Sequence, residues 1–206
     1  MTIDTLSRVE LSAETILIRL GWRIRGAAEL ARAITAFQCG WNLGARLTVN
    51  SVADPATRRA LLLSERARAN GRPTASAHFS FAEFACKCRG RYPECRRIWV
   101  RRELLESLEV LRARAYPSGL TIVSGCRCAA WNRDRGGVES SQHLFGAAAD
   151  VPKVVDWRTL TRWRLFAGIG WSRSTGLARH VDRRDVSGHN PRGRTLERPA
   201  RWIYAS

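Results

Sequence analysis

Apolar positions recur at helical spacing through the first third of the chain. Ile16, Leu20, Ala27, Leu30 and Ile34 line up as helix faces that Gly21 and Gly26 interrupt. A further helical run, ATRRALLLSERARA, follows Asp54 and Pro55, which suit an N-cap and a first helical position, and it stops near Asn70 and Gly71. The stretch NGRPTASA, from Asn70 to Ala77, is small, polar and turn-rich and reads as a linker. Ser80-Phe81-Ala82-Glu83 then has capping-box spacing, where a short helix should start. Leu104, Leu108, Leu111 and Ala115 define one apolar helix face, with Glu103, Glu106, Arg112 and Arg114 on the wet side, and Pro117 and Gly119 close that helix.

The pattern then changes period. LTIVS at 120–124, AGIGW at 167–171 and ARHVDRR at 178–184 read as short strands. The expected fold class is α+β: a small all-α module over residues 1–70, a linker at 71–78, and a mixed domain over 79–206 with a small antiparallel sheet and flanking helices.

Composition narrows this picture. A chain of 206 residues can bury one sizeable core with a small appendage, and 45% hydrophobic residues with eight tryptophans exclude a disordered chain. No run approaches the ~18–20 apolar residues of a membrane span, so no membrane insertion is expected. The opening segment MTIDTLSRVELSAETILIRLGW starts with an acid and is broken by Glu10, Glu14 and Arg19, which does not fit a signal peptide. Acting outside the cytoplasm, a chain without such a leader would need a holin-like route, lysis or unconventional export. The net charge of +17 is nearly all arginine, with Lys87 and Lys153 the only lysines. It fits arginine-rich codon usage as well as a polyanionic partner, either nucleic acid or a phosphate-rich wall polymer.

Candidate chemistry concentrates between Ser124 and Pro152, in SGCRCAAWNRDRGGVESSQHLFGAAADVP. His143 and Asp150 offer an imidazole and a carboxylate, both suited to a catalytic zinc, which takes three protein ligands and keeps a position for water. Taken alone, the pair is better explained by surface or capping roles. The chain has four histidines, His78, His143, His180 and His189. Strand alternation in ARHVDRR puts His180 and Asp182 on one face, so that His180 can bind metal while Asp182 orients a ligand, contacts water or acts as a base. His189 lies in the turn-like SGHNPRG, which favours His180 as third ligand, and His78 beside the linker packs or caps there.

Together, Ser124-Gly125-x-Arg127, Asn132, Ser141-x-His143-x-x-Gly146-x-Ala148-x-Asp150 and His180-x-Asp182-x-Arg184 resemble the M15 family of zinc D-alanyl-D-alanine carboxypeptidases and peptidoglycan endopeptidases. The resemblance runs from Phe79 to Tyr204, with ARWIY similar to the family's terminal strand. It implies one catalytic zinc held by His143, Asp150 and His180, with Arg127 on a substrate carboxylate or carbonyl and Ser141 binding substrate or supporting a ligand. Asn132 is also a possible helix cap. Several branches of the family carry an acid three residues before the last zinc histidine, where this chain has Leu177. Asp182 is therefore the candidate base and Glu139 the second.

The segment from Ala33 to Leu63 resembles the peptidoglycan-binding type 1 module through Phe37-Gln38, Leu47-x-Val49-x-x-Val52 and Asp54-Pro55-Ala56-Thr57. This combination implies a phage endolysin-like wall hydrolase, monomeric, with peptidoglycan as its partner. Two other readings are a wall-binding protein that keeps the zinc fold without catalysis and, from charge alone, a basic nucleic-acid binder. The bond cut is left open between a terminal D-Ala-D-Ala, a D,D cross-link and an L-Ala-D-Glu bond. Cys86, Cys88, Cys95, Cys126 and Cys128 fit either disulfides or a second, structural zinc, and Cys39 reads as a buried small residue.

Overall fold

The structure is a computed structural model and describes residues 11–92, 95, 98–152 and 155–204. The expectation that the chain opens without a signal peptide falls largely on residues outside this set. Among the described residues there are six α-helices and one four-stranded sheet, an α+β architecture. No helix among them is long and apolar enough to cross a membrane.

Three helices come first: α1 (Ala13–Arg19), α2 (Ala27–Gly40) and α3 (Pro55–Ala69). Gly21, at φ 109°, ends the first helical unit, and Gly26 is the N-cap of α2, as the interruptions predict. Ile16, Leu20 and Ile34 are buried and Leu30 packs against the core, whereas Ala27 is exposed on the first turn of α2. Asp54 caps α3 by accepting from the Thr57 amide at 2.7 Å, with Pro55 following as the first residue. Gln38 pins the connection between α2 and α3. Its amide nitrogen donates to Asn50 Oδ1, the Val52 carbonyl and Thr57 Oγ1, and its oxygen accepts from the Asn50 and Ser51 amides. Phe37 and Leu47 beside this network are buried, while Val49 and Val52 are exposed.

The segment after α3 is tied down at several points. Ser64 Oγ donates to the Thr74 carbonyl, Thr74 Oγ1 accepts from the Phe81 amide, and Thr74, Ala75 and Ser76 are buried. The capping box at Ser80 and Glu83 forms and opens a 3-10 turn, Phe81–Phe84. Phe81 packs on Trp22 and Phe37, with ring centroids 5.0 and 5.3 Å apart, so one apolar core runs from the first helices into the sheet-bearing part. α4 (Arg102–Ala115) buries Leu104, Leu108 and Leu111, as its periodicity predicts, together with Leu105.

The remaining elements are α5 (Ala129–Asp134), β1 (Ala148–Asp150), α6 (Trp157–Trp163), β2 (Gly168–Ser172), β3 (Ala178–Asp182) and β4 (Ala200–Tyr204). The sheet order is β1-β3-β2-β4. β3 pairs antiparallel with both neighbours, as in the small antiparallel sheet expected, while β2 and β4 pair in parallel and make the sheet mixed. LTIVS is not a strand. It keeps the inside-outside alternation of extended chain, with Leu120 and Ile122 buried and Val123 exposed, and it meets the sheet through the Val123 and Ser124 amides and a single bridge between Ser124 and Asp150.

Candidate metal centre

Cross-strand register brings the first two candidates together. Asp150 ends β1 directly opposite His180 in β3. His143 arrives from a 3-10 turn, Gln142–Phe145, that Gly146 reverses at φ 64° before β1 begins. A Cβ on Gly146 would also stand 2.6 Å from the Trp99 ring.

Three atoms converge as a result. His143 Nε2 is 3.2 Å from His180 Nδ1 and 3.3 Å from Asp150 Oδ1, and His180 Nδ1 is 3.1 Å from Asp150 Oδ1. A tetrahedral zinc with bonds of about 2.0–2.1 Å separates its ligand atoms by roughly 3.3 Å, so the near-equilateral triangle fits three of its four positions. The opposite nitrogen of each ring is occupied. His143 Nδ1 donates to the Gly125 carbonyl at 2.6 Å, and His180 Nε2 faces Asp182 Oδ2 at 3.2 Å. This arrangement turns both inner lone pairs toward one point, as in metal-binding histidines oriented by a second partner.

The electrostatics follow from burial and neighbours. Burial lowers the His143 pKa. Burial also opposes charge on His180, but the Asp150 and Asp182 carboxylates outweigh it and raise that pKa. Asp150 is held ionised well below the usual carboxylate range, because the neighbouring His143 and His180 imidazoles overcome its desolvation. Asp182 is fully buried and is nonetheless held down to about 2, since Arg184 and His180 outweigh burial. Arg184 contacts both oxygens, through Nε to Oδ1 at 2.9 Å and Nη2 to Oδ2 at 2.6 Å.

The triangle opens on a cleft of about 760 Å³. Arg127 and Ser141 line it. Arg127 donates through Nη2 to Asp150 Oδ2 at 2.7 Å and through Nε to Ser124 Oγ at 3.3 Å, which ties it to the candidate ligand. Glu139 is exposed and is not among the lining residues. Leu177 lies beyond the upstream end of β3, bridged to Asp156. Asn132 is buried inside α5, where its Nδ2 donates to the Val138 carbonyl. The other two histidines stand apart: His78 pairs with Glu109 at 2.6 Å, and His189 stacks on Phe145.

Four residues not singled out from the sequence complete the surroundings. Gly170 lies opposite His180 and Gly168 opposite Asp182. A Cβ at Gly168 would stand 2.2 Å from Asp182 Oδ2, and one at Gly170 would stand 2.4 Å from the Tyr204 ring. Trp202 and Tyr204 of β4 pack on the His180 imidazole with centroids 5.0 and 6.3 Å away. Burial and the nearby Asp150 charge push the Tyr204 phenol up to about 12. The signal in the sequence was the Gly-x-Gly spacing in AGIGW, which repeats the two-residue period of His180-x-Asp182.

Two imidazoles and a carboxylate, with buried outer partners and an open cleft, are the donor set of a metal-dependent hydrolase. The sequence profile of the family described as Peptidase M15 matches residues 77–182, just over half of the chain, and the chain belongs to that family. It is therefore a metallopeptidase of a zinc-dependent family. No curated protein matches the chain.

Proposed function

We propose that this protein is a zinc peptidase that hydrolyses peptide bonds of bacterial cell-wall peptidoglycan, as a D,D-carboxypeptidase or an endopeptidase. The observation that carries the reading is the His143, Asp150 and His180 triangle on the wall of an open cleft. A zinc ion held there would supply Lewis-acid polarisation of the scissile carbonyl and a bound water of lowered pKa. The protein's own residues do the rest. Asp182 fixes the His180 ring and counters its charge. Arg127 holds Asp150, and its guanidinium has more donors than the two bonds described engage, so it is the group to meet a substrate carboxylate or carbonyl. Ser141 is the second substrate contact.

The cleft favours an anionic substrate. Lys87, Arg127, Arg135, Arg179 and Arg184 line it against Asp150 and Asp182. Wall peptides end in carboxylates and are set in an anionic polymer, which suits such a lining. The helices α1–α3 lie outside the family match and serve, in this proposal, to hold the enzyme on its insoluble substrate and raise the local substrate concentration, as in an endolysin.

The test is release of new amino groups from purified peptidoglycan. The wild type should release them, a chelator should abolish release and added zinc restore it, and His143→Ala should be inactive. Binding to the wall without release would sink the catalytic reading. Mass spectrometry of fragments from defined muropeptides identifies the bond. For Asp182, a positioning role predicts that Asp182→Asn weakens zinc retention, whereas a proton-transfer role predicts a fall in kcat with zinc retained.

A further inference from the structure

A second cluster of metal-ligating side chains lies outside the cleft chemistry. Cys86, Cys88, Cys95 and Cys128 are all buried, and their four sulfur atoms lie within 4.8 Å of one another. A tetrahedral zinc with bonds of about 2.3 Å separates its sulfurs by roughly 3.8 Å, so small side-chain adjustments close the set on one ion. Disulfides join sulfurs in pairs, whereas here all four converge, and none of the four is in a disulfide.

The surroundings suit thiolates. The Cys128 amide donates to Cys86 Sγ at 3.3 Å, and the Trp131 amide donates to Cys128 Sγ at 3.4 Å from the first turn of α5. Lys87, Arg89 and Arg91 lie in the same loop as Cys86 and Cys88, and Arg135 stacks over Trp131 at 4.1 Å. A zinc with four thiolates would carry a double negative charge, and the sequence around these cysteines is cationic. From this geometry we infer that Cys86, Cys88, Cys95 and Cys128 bind a structural zinc ion. Each thiol gives its proton to solvent as its sulfur takes a coordinate bond, and nothing is oxidised or reduced.

The position gives the ion a task. Cys128 directly follows the segment whose Gly125 carbonyl orients His143 and whose Arg127 holds Asp150. The Arg127 amide donates to the His143 carbonyl at 3.0 Å and the Cys126 amide to the Phe84 carbonyl at 3.0 Å. A zinc joining Cys128 to Cys86 and Cys95 would lock this segment against the loop before α4 and hold one wall of the cleft in register.

The inference is independent of the catalytic reading, and metal content separates the two. Elemental analysis of the purified full chain should give two zinc ions per wild-type molecule, one in His143→Ala and one in Cys95→Ser. Zinc lost in Cys95→Ser but kept in His143→Ala, from a wild type holding one ion, would support the cysteine site and sink the other. The reverse pattern would overturn the cysteine site alone. Should Cys95→Ser fail to fold, His143→Ala exchanged into cobalt(II) remains decisive: a near-ultraviolet thiolate-to-cobalt charge-transfer band is expected, and its absence overturns the inference. Alkylation after denaturation in chelator should modify all six cysteines. Blocked cysteines would mean disulfides and would equally overturn it, as would iron in place of zinc.

Discussion

Gly168 faces Asp182 across the ladder, and the carboxylate fills the space that a side chain there would need. Gly168→Ala should therefore displace Asp182 and loosen His180. Loss of an outer partner of a metal ligand typically costs about 10–100-fold in metal affinity, and chelator competition on the purified variant measures it. Asp182→Asn should fall in the same range, because Arg184 would keep a partner while His180 loses its charged one. At this scale the sequence was readable in part. His180 and Asp182 share a face because a strand alternates, and that is local information. Their opposition to Gly168 and Gly170 depends on the register between β3 and β2, which neither strand's own residues declare. The pairing of Asp182 with Arg184 is likewise a matter of side-chain reach, so Asp182 was legible as a useful acid before it was legible as a held one.

Among elements, helices with capping chemistry were the easiest to place. Asp54-Pro55 and the Ser80–Glu83 box fix their own first turns through hydrogen bonds three residues apart. LTIVS failed as a strand for a non-local reason: extended backbone becomes a strand only where a neighbour continues the ladder, and its pairing with β1 stops at the Ser124–Asp150 bridge. One contact between elements also carries a pH prediction. Glu65 of α3 takes Arg68 on both oxygens, at 2.7 and 2.9 Å, and Arg19 of α1 at 3.0 Å. Arg68 first and then Arg19 lower its pKa against the effect of burial. A carboxylate with a lowered folded-state pKa binds its proton less readily folded than unfolded, so its stabilisation is full above the unfolded value of 4.5 and fades as pH falls through the folded one. Glu65→Gln should cost about 1 kcal/mol at neutral pH. The difference from wild type should narrow in thermal melts as the pH is taken below the unfolded value of 4.5.

For the molecule as a whole, the shared core is the dominant feature. Phe37 is fully buried between Trp22 and Phe81, so the wall-binding helices of the proposal and the peptidase share apolar contacts. Phe37→Ala should destabilise by about 3–5 kcal/mol. Calorimetry should show α1–α3 and the sheet melting together at the lower temperature. That continuity was hidden in the sequence, where NGRPTASA has the composition of a linker although Thr74, Ala75 and Ser76 are buried. The parallel pairing of β4 with β2 has a consequence for how the molecule is made. The strand that packs Trp202 and Tyr204 on His180 is separated from its partner by a long crossover, 173–199, and loop closure must precede the contacts that reward it. During synthesis, His143, Asp150 and His180 all emerge before residues 200–204 do. Until that crossover closes, His180 lacks the packing of Trp202 and Tyr204, so the candidate metal centre should reach its final seating late in folding.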